Sequence, residues 1–201
     1  MKALIIVDVQ NDFTSGGHLA VPRGEEIIPV VNALQKKFDL VVATQDWHPT
    51  NHKSFASNHE GKKPFDKIML GGLQQVLWPD HCVQGTKGAE LHSELETLKI
   101  ETIFRKGMDP EIDSYSGFYD NGHRKNTGLA GYLRERMVKA VYVCGLAADY
   151  CVYFTAQDSI REGFLTYYIE DATRAIDPNG FEHAREELRK QGGKIVRSDM
   201  L

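Results

Sequence analysis

A cysteine between a predicted strand and a predicted helix is the residue best placed to do chemistry in this chain. Cys151 ends the stretch Val141-Tyr-Val-Cys-Gly-Leu-Ala-Ala-Asp-Tyr-Cys, which starts as an apolar, β-branched strand and breaks at Gly145. A helical pattern begins at Cys151. Backbone N–H groups at a helix N-terminus favour a thiolate and hold an oxyanion, so we expect a depressed Cys151 pKa and a nucleophile. The alternative is that Cys151 is a small buried apolar residue.

Two further reactive side chains also lie at the ends of predicted strands. Asp8 closes the first strand and Lys106 follows the third. Because parallel strands place their carboxyl ends along one edge of a sheet, Asp8, Lys106 and Cys151 are expected to meet. The lysine would lower the thiol pKa, and the carboxylate would carry a proton from the thiol to a leaving amine, which suits cleavage of an amide. For each residue taken by itself an alternative remains open: Asp8 could cap a loop, and Lys106 could be an ordinary surface lysine.

Four side chains in the irregular region 45–88 have the types and spacing of metal ligands: Asp46, His48, His52 and His81. Asp46 and His48 are two apart in an extended segment and project to the same side. One carboxylate with two or three imidazoles suits zinc, iron or manganese. The alternative is that they are hydrogen-bonded polar loop residues.

The elements that must position these residues alternate between strands and helices. Uniformly apolar runs predict six strands, at 3–9, 40–44, 101–105, 141–143, 164–169 and 194–197, and helical spacing predicts helices near 27–34, 90–98, 127–137, 151–161 and 177–190. The pattern predicts an α/β protein: a single domain over 1–201, three-layer α/β/α, with a six-stranded, mainly parallel sheet. The long region 45–88 shows little periodicity and is expected to form the wall of a site.

Composition excludes several functional classes. The chain has 201 residues and a net charge of −4 without a basic cluster, which argues against a nucleic-acid partner. No apolar stretch reaches membrane-spanning length, and the apolar run near the N-terminus is shorter than we expect of a signal peptide. Three cysteines at irregular spacing do not form a disulfide framework, so a cytoplasmic protein with reduced thiols is expected. Whether the chain forms a homo-oligomer is left open.

Three segments around the reactive residues resemble the signature motifs of a known enzyme family. The segments Asp8-Val-Gln-Asn-Asp-Phe13, Phe104-Arg-Lys-Gly107 and Gly145-Leu-Ala-Ala-Asp-Tyr-Cys-Val152 are similar to those of the isochorismatase-like cysteine hydrolases, and most similar to the nicotinamidases, also called pyrazinamidases. The resemblance implies a Rossmann-like fold and a catalytic triad of Asp8, Lys106 and Cys151. It also implies an oxyanion hole made by the backbone amides of Ala147 and Cys151, reached through a cis peptide at Leu146–Ala147.

The same resemblance assigns expected ligands and substrate contacts. It supports one divalent metal ion, zinc before iron or manganese, held by the Asp46, His48, His52 and His81 set. It places Phe13, Trp78 and Tyr115 around the nicotinamide ring, where loop aromatics that only anchor their loops are the alternative. Tyr150 stands where some relatives have histidine. From its position beside Asp8, and not from the resemblance, Gln10 is expected to steady Asp8.

The function implied is hydrolysis of nicotinamide to nicotinate and ammonia within NAD salvage, with pyrazinamide also accepted. Two alternatives stay open. One is a related amidohydrolase acting on a carbamoyl or ureido substrate, and the other is a protein that binds nicotinamide or metal without turnover.

Overall fold

The computed structural model describes residues 1–201 and is built on a six-stranded sheet. In chain order the strands are β1 (Lys2–Val7), β2 (Leu40–Asp46), β3 (Lys67–Leu70), β4 (Leu73–Val76), β5 (Ile100–Lys106), β6 (Ala140–Leu146), β7 (Leu165–Arg174) and β8 (Lys194–Val196). The sheet order is β5-β2-β1-β6-β7-β8, and every neighbouring pair is parallel. The six predicted strands and the α/β class are confirmed.

Helices cover both faces of this sheet, which is why its central strands are buried almost throughout. The helices are α1 (Ile28–Gln35), α2 (Leu129–Glu135), α3 (Tyr153–Arg161) and α4 (Pro178–Lys190). Leu4 and Ile6 pack on the α1 side in a core of 24 buried residues, whereas Ile5 and Val7 pack on the side of α2, α3 and α4 in a core of 18. The period-two alternation of strand side chains therefore buries every residue of β1 after the first.

The predicted N-terminus of α4 is confirmed by its cap. The Asp177 carboxylate accepts hydrogen bonds from the backbone N–H groups of Asn179 and Gly180, and Pro178 occupies the first helical position. No helix of the structure combines the length and the apolar character needed to span a bilayer.

The predicted helix at 90–98 does not form. This segment is a series of turns whose backbone pairs with distant elements: His92 N–H donates to Val9, and the carbonyls of Glu94 and Glu96 accept from side chains of α1. These long-range hydrogen bonds tie the segment to Val9 and to α1 in place of helical hydrogen bonds.

The irregular region 45–88 contains a hairpin that the periodicity did not predict. β3 and β4 pair antiparallel, with Gly71 and Gly72 at the turn at φ +56° and +85°. Four-residue strands are too short for a clear alternation, and the glycine pair was the available signal.

Candidate active site

Asp8 lies immediately beyond β1 with its side chain fully buried. Its backbone is left-handed, at φ +48°, which aspartate tolerates better than most residues. The Thr44 hydroxyl donates to Oδ1 at 2.6 Å, and the Lys106 Nζ lies 2.9 Å from Oδ2. Burial raises the pKa of the Asp8 carboxyl, with Lys106 opposing the rise and the nearby Asp46 carboxylate adding to it.

Lys106, the last residue of β5, connects the predicted triad to the predicted metal site. Its Nζ donates to Asp46 Oδ1 at 2.6 Å and to the Ser114 carbonyl at 2.9 Å, and lies 3.4 Å from Cys151 Sγ. Burial alone would lower the pKa of Lys106, but the carboxylates of Asp46 and Asp8 outweigh it and hold that pKa well above its ordinary value. The side chain is therefore an ammonium at neutral pH.

Cys151 lies in a π-helical turn, Ala148–Val152, that connects β6 to α3. The expectation of a depressed pKa is wrong, because burial holds the pKa of the Cys151 thiol well above its usual range. Lys106 opposes this rise, but Asp8 and Asp46 add to it, and burial is the largest cause. The thiol therefore keeps its proton until a base removes it, and Asp8 is the adjacent base.

The cis peptide implied by the resemblance is present at Leu146–Ala147. Ala147 lines the same pocket as Cys151, so the two residues expected to form the oxyanion hole lie together.

Asp46, His48 and His81 bring their ligand atoms within 4.8 Å of one another. His48 Nε2 lies 3.3 Å and His81 Nε2 lies 3.7 Å from Asp46 Oδ2. His52 does not join this trio: its ligand atom groups with those of His48 and Asp113. The four predicted ligands therefore lie near one another, but the structure groups only three of them around one point.

Hydrogen bonds on the far side of two imidazoles fix their orientation. His48 Nδ1 donates to the Gly107 carbonyl, and His81 Nδ1 donates to the Pro79 carbonyl, each at 2.8 Å. The Nε2 lone pairs therefore point towards the Asp46 carboxylate, which is the arrangement that metal-ligating histidines have in proteins.

This donor set fits a divalent ion. His48 Nε2 and His52 Nε2 are buried without a hydrogen-bond partner. Two acceptors 3.3 Å apart require a proton or a cation between them, and ligands each about 2 Å from one metal have such a spacing. Burial lowers the pKa of His52 to about 4, so its ring is in the neutral form that a metal binds.

The four predicted aromatic contacts line one pocket with Cys151. Phe13, Trp78, Tyr115 and Tyr150 surround a small, narrow cavity that Cys151 also lines. Trp78, Tyr115 and Tyr150 meet edge to face, with ring centroids 4.8–6.2 Å apart. Asp46 and His81 also line this pocket, so it lies between the thiol and the metal-ligand group.

The sequence analysis did not predict the buried carboxylate of Asp113, and its prediction for the Gln10 side chain was wrong. Asp113 lines the pocket from the irregular segment after β5, where no periodicity marked it. Gln10 does not hold the Asp8 side chain. Its carboxamide instead bonds both the N–H and the carbonyl of Asp46, each at 2.8 Å, and so fixes the end of β2.

Comparisons with known proteins give a consistent result. The isochorismatase domain model matches residues 2–200. A nicotinamidase from Acinetobacter baylyi is 53% identical over 98% of this chain and 92% of its own length. The Escherichia coli nicotinamidase is 44% identical over 96% of this chain and 93% of its own.

Solved structures agree with the sequence relatives. A nicotinamidase from Acinetobacter baumanii superposes with a TM-score of 0.96 at 51% identity, covering 100% of this chain and 98% of that one. PnC1 from L. infantum, in complex with nicotinate, gives 0.87 at 40% identity over 99% and 93%. A Pyrococcus horikoshii pyrazinamidase in complex with zinc gives 0.80 at 42% identity over 98% of each chain. By its domain match, its fold and these relatives, the chain belongs to the isochorismatase-like hydrolase family and groups with the nicotinamidases within it.

Proposed function

We propose that this chain hydrolyses nicotinamide to nicotinate and ammonia, and accepts pyrazinamide as well. The observation that carries the proposal is the convergence of the Cys151 thiol, the Lys106 ammonium and the Asp8 carboxylate at an aromatic pocket. The names of the relatives, and the nicotinate and zinc in two similar structures, support the same activity.

The first half of the proposed reaction forms a thioester. Asp8 takes the Cys151 proton, and the sulfur attacks the carboxamide carbon of the substrate. The oxyanion is received by the backbone N–H groups of Ala147 and Cys151, each such donor being worth about 3 kcal/mol of barrier. Asp8 then returns the proton to the nitrogen, and the C–N bond breaks with release of ammonia.

The second half regenerates the thiol. Asp8 removes a proton from a water molecule, the resulting hydroxide adds to the thioester carbon, and collapse expels the thiolate, which regains its proton from Asp8. Lys106 remains an ammonium throughout and keeps both Asp8 and Asp46 paired. The raised pKa of Asp8 suits a group that gains and loses a proton in each half-reaction.

Asp46, His48 and His81 would hold one divalent ion, with His52 beside them. When bound, this ion, which we take to be zinc before iron or manganese, supplies a Lewis-acid anchor for the ring nitrogen. Phe13, Trp78, Tyr115 and Tyr150 pack against the ring and exclude water.

We also propose that residues 1–201 form a single catalytic domain and that it works in a reducing compartment such as the cytoplasm. The mechanism requires a free Cys151 thiol, and all three cysteines are unpaired.

The test measures ammonia release from nicotinamide by the wild type, Cys151→Ala and Cys144→Ala. Loss of the nucleophile should lower kcat at least about a thousandfold. Cys144 is a buried cysteine of β6 outside the pocket, so its variant should retain turnover. Near-normal turnover by Cys151→Ala would exclude covalent catalysis. A wild type that releases no ammonia would redirect the search to carbamoyl substrates or to a binding role.

A further inference from the structure

A buried glutamine on the β3–β4 hairpin holds one end of the pocket together. Gln75 is 3% exposed, although its hairpin is separate from the main sheet. Its Nε2 lies 2.7 Å from the Val76 carbonyl, 3.0 Å from Asp113 Oδ2 and 3.0 Å from the Tyr115 hydroxyl oxygen. Its two N–H groups face three acceptors, so one N–H is shared between two of them, and the one carboxamide joins the hairpin to two residues that line the pocket.

The hydrogen bonds at Tyr115 leave its proton available. Its hydroxyl oxygen accepts from Gln75 Nε2 and, at 3.3 Å, from Trp78 Nε1. Neither nitrogen can accept a proton, because an amide NH₂ and an indole N–H are donors only. Both acceptor positions of the Tyr115 hydroxyl are thus occupied, and its O–H is left to donate to a molecule in the pocket.

Asp113 continues the chain of hydrogen bonds from Gln75 towards the reacting atoms. Its Oδ1 accepts from the Ser114 N–H at 2.7 Å, and the Ser114 carbonyl accepts from Lys106 at 2.9 Å. Gln75 thus supports the loop that carries Asp113 and Ser114, but its carboxamide makes no hydrogen bond to Asp8, Lys106 or Cys151.

We propose that Gln75 is a positioning residue for substrate binding. It fixes the Tyr115 hydroxyl as a hydrogen-bond donor, and the Asp113 carboxylate as an acceptor, for a nitrogen-heteroaromatic carboxamide. This inference rests on the proposed function for the identity of its ligand. It assigns Gln75 to binding of the ring substrate and not to the thiol chemistry.

The hairpin supplies a matched pair of variants. Gln75→Met keeps the length of the side chain but removes both N–H donors, whereas Gln74→Met makes the same change at the exposed neighbouring position. Tyr115→Phe removes only the hydroxyl. KM and kcat for nicotinamide are measured for each variant, and the nicotinamide dissociation constant is measured by calorimetry with each change combined with Cys151→Ala.

We expect Gln75→Met and Tyr115→Phe each to raise KM and the dissociation constant about tenfold, the loss typical of one hydrogen bond, with kcat within about threefold of wild type. Gln74→Met should match wild type. Because Gln75 acts partly through the Tyr115 hydroxyl, the double variant should lose clearly less than the product of the two single losses.

Three results would overturn the proposal. These are unchanged KM and dissociation constants, a fall in kcat with KM unchanged, or single losses that multiply fully in the double variant. If Gln75→Met does not fold, Gln75→Asn, which keeps the amide but shortens the side chain, decides by the same KM and dissociation constant. A wild type that binds nicotinamide without releasing ammonia would refute the proposed function, and the calorimetric arm would still decide the role of Gln75.

Discussion

At the scale of single residues, the site depends on one buried ammonium. Lys106 lies within 3.4 Å of Asp8, Asp46 and Cys151, and all four side chains are buried. Without this cation, the two carboxylates would lie beside each other and beside the thiol in a buried site. Water does not screen the repulsion between their negative charges there. The same residue therefore serves both stability and the ionisation of the nucleophile.

Lys106→Met should destabilise the metal-stripped protein by about 3–5 kcal/mol at pH 7 in urea unfolding, because it leaves buried carboxylates unpaired. The pKa of Asp8, already raised, should rise further, so the folded state then binds more protons than the unfolded state and stability falls with rising pH. The loss of unfolding free energy relative to wild type should consequently become smaller as the pH is lowered from 7 to 5.

The control for this change is Lys125→Met, which removes an exposed lysine paired with Asp109. Stability should barely change in this variant. If Lys106→Met were no more destabilising than Lys125→Met, the ammonium would not be the stabilising centre of the site.

At the scale of elements, the β3–β4 hairpin is a wall of the pocket built outside the main sheet. Its turn depends on two glycines at positive φ, and a Cβ on Gly72 would meet no atom within 4 Å. A substitution at Gly72 therefore tests the left-handed backbone conformation of the turn, because the new Cβ would contact no neighbouring atom.

Gly72→Val should weaken the hairpin by about 1–2 kcal/mol, because a left-handed backbone is costly for a β-branched residue. Amide hydrogen exchange should quicken across 67–76 but not in β1 or β6, and KM for nicotinamide should rise as Gln75 loses its position. Gly72→Asn is the matched control, since asparagine tolerates positive φ. Equal amide exchange rates across 67–76 in Gly72→Val and Gly72→Asn would show that the turn conformation does not stabilise the hairpin.

At the scale of the whole molecule, the sheet order assembles the site. β5, β2, β1 and β6 are consecutive neighbours, and Lys106, Asp46, Asp8 and Cys151 lie at or just beyond their carboxyl ends. The loops that carry His48, His52 and His81 cross this edge, so an ion held there would tie the long region 45–88 to the sheet.

Metal removal should therefore lower both activity and stability. Chelator-treated protein should lose ammonia release, and zinc at a hundred times its dissociation constant should restore it and add about 2.7 kcal/mol to the free energy of unfolding. His48→Asn should abolish the zinc-dependent shift in Tm, while His183→Asn, an exposed position on α4, should keep it. A shift that persists in His48→Asn would place the ion elsewhere.

The sequence alone was sufficient for what depends on neighbours along the chain. Apolar runs located the six strands of the main sheet, the Asp177-Pro178 pair located the start of α4, and the motifs around Asp8, Lys106 and Cys151 indicated the family. The expected parallel sheet and the positions of these residues at strand ends were enough to expect the three side chains at one edge.

The tertiary structure decided what depends on residues far apart in the chain. Full burial beside two carboxylates reversed the expected pKa shift of Cys151, and hydrogen bonds to α1 and to Val9 replaced the predicted helix at 90–98. Gln75 reaches Asp113 across 38 positions and Tyr115 across 40, a distance over which no local periodicity carries information. Local pattern specifies which elements form, whereas desolvation and long-range pairing, set only when those elements pack, determine the chemistry of the side chains between them.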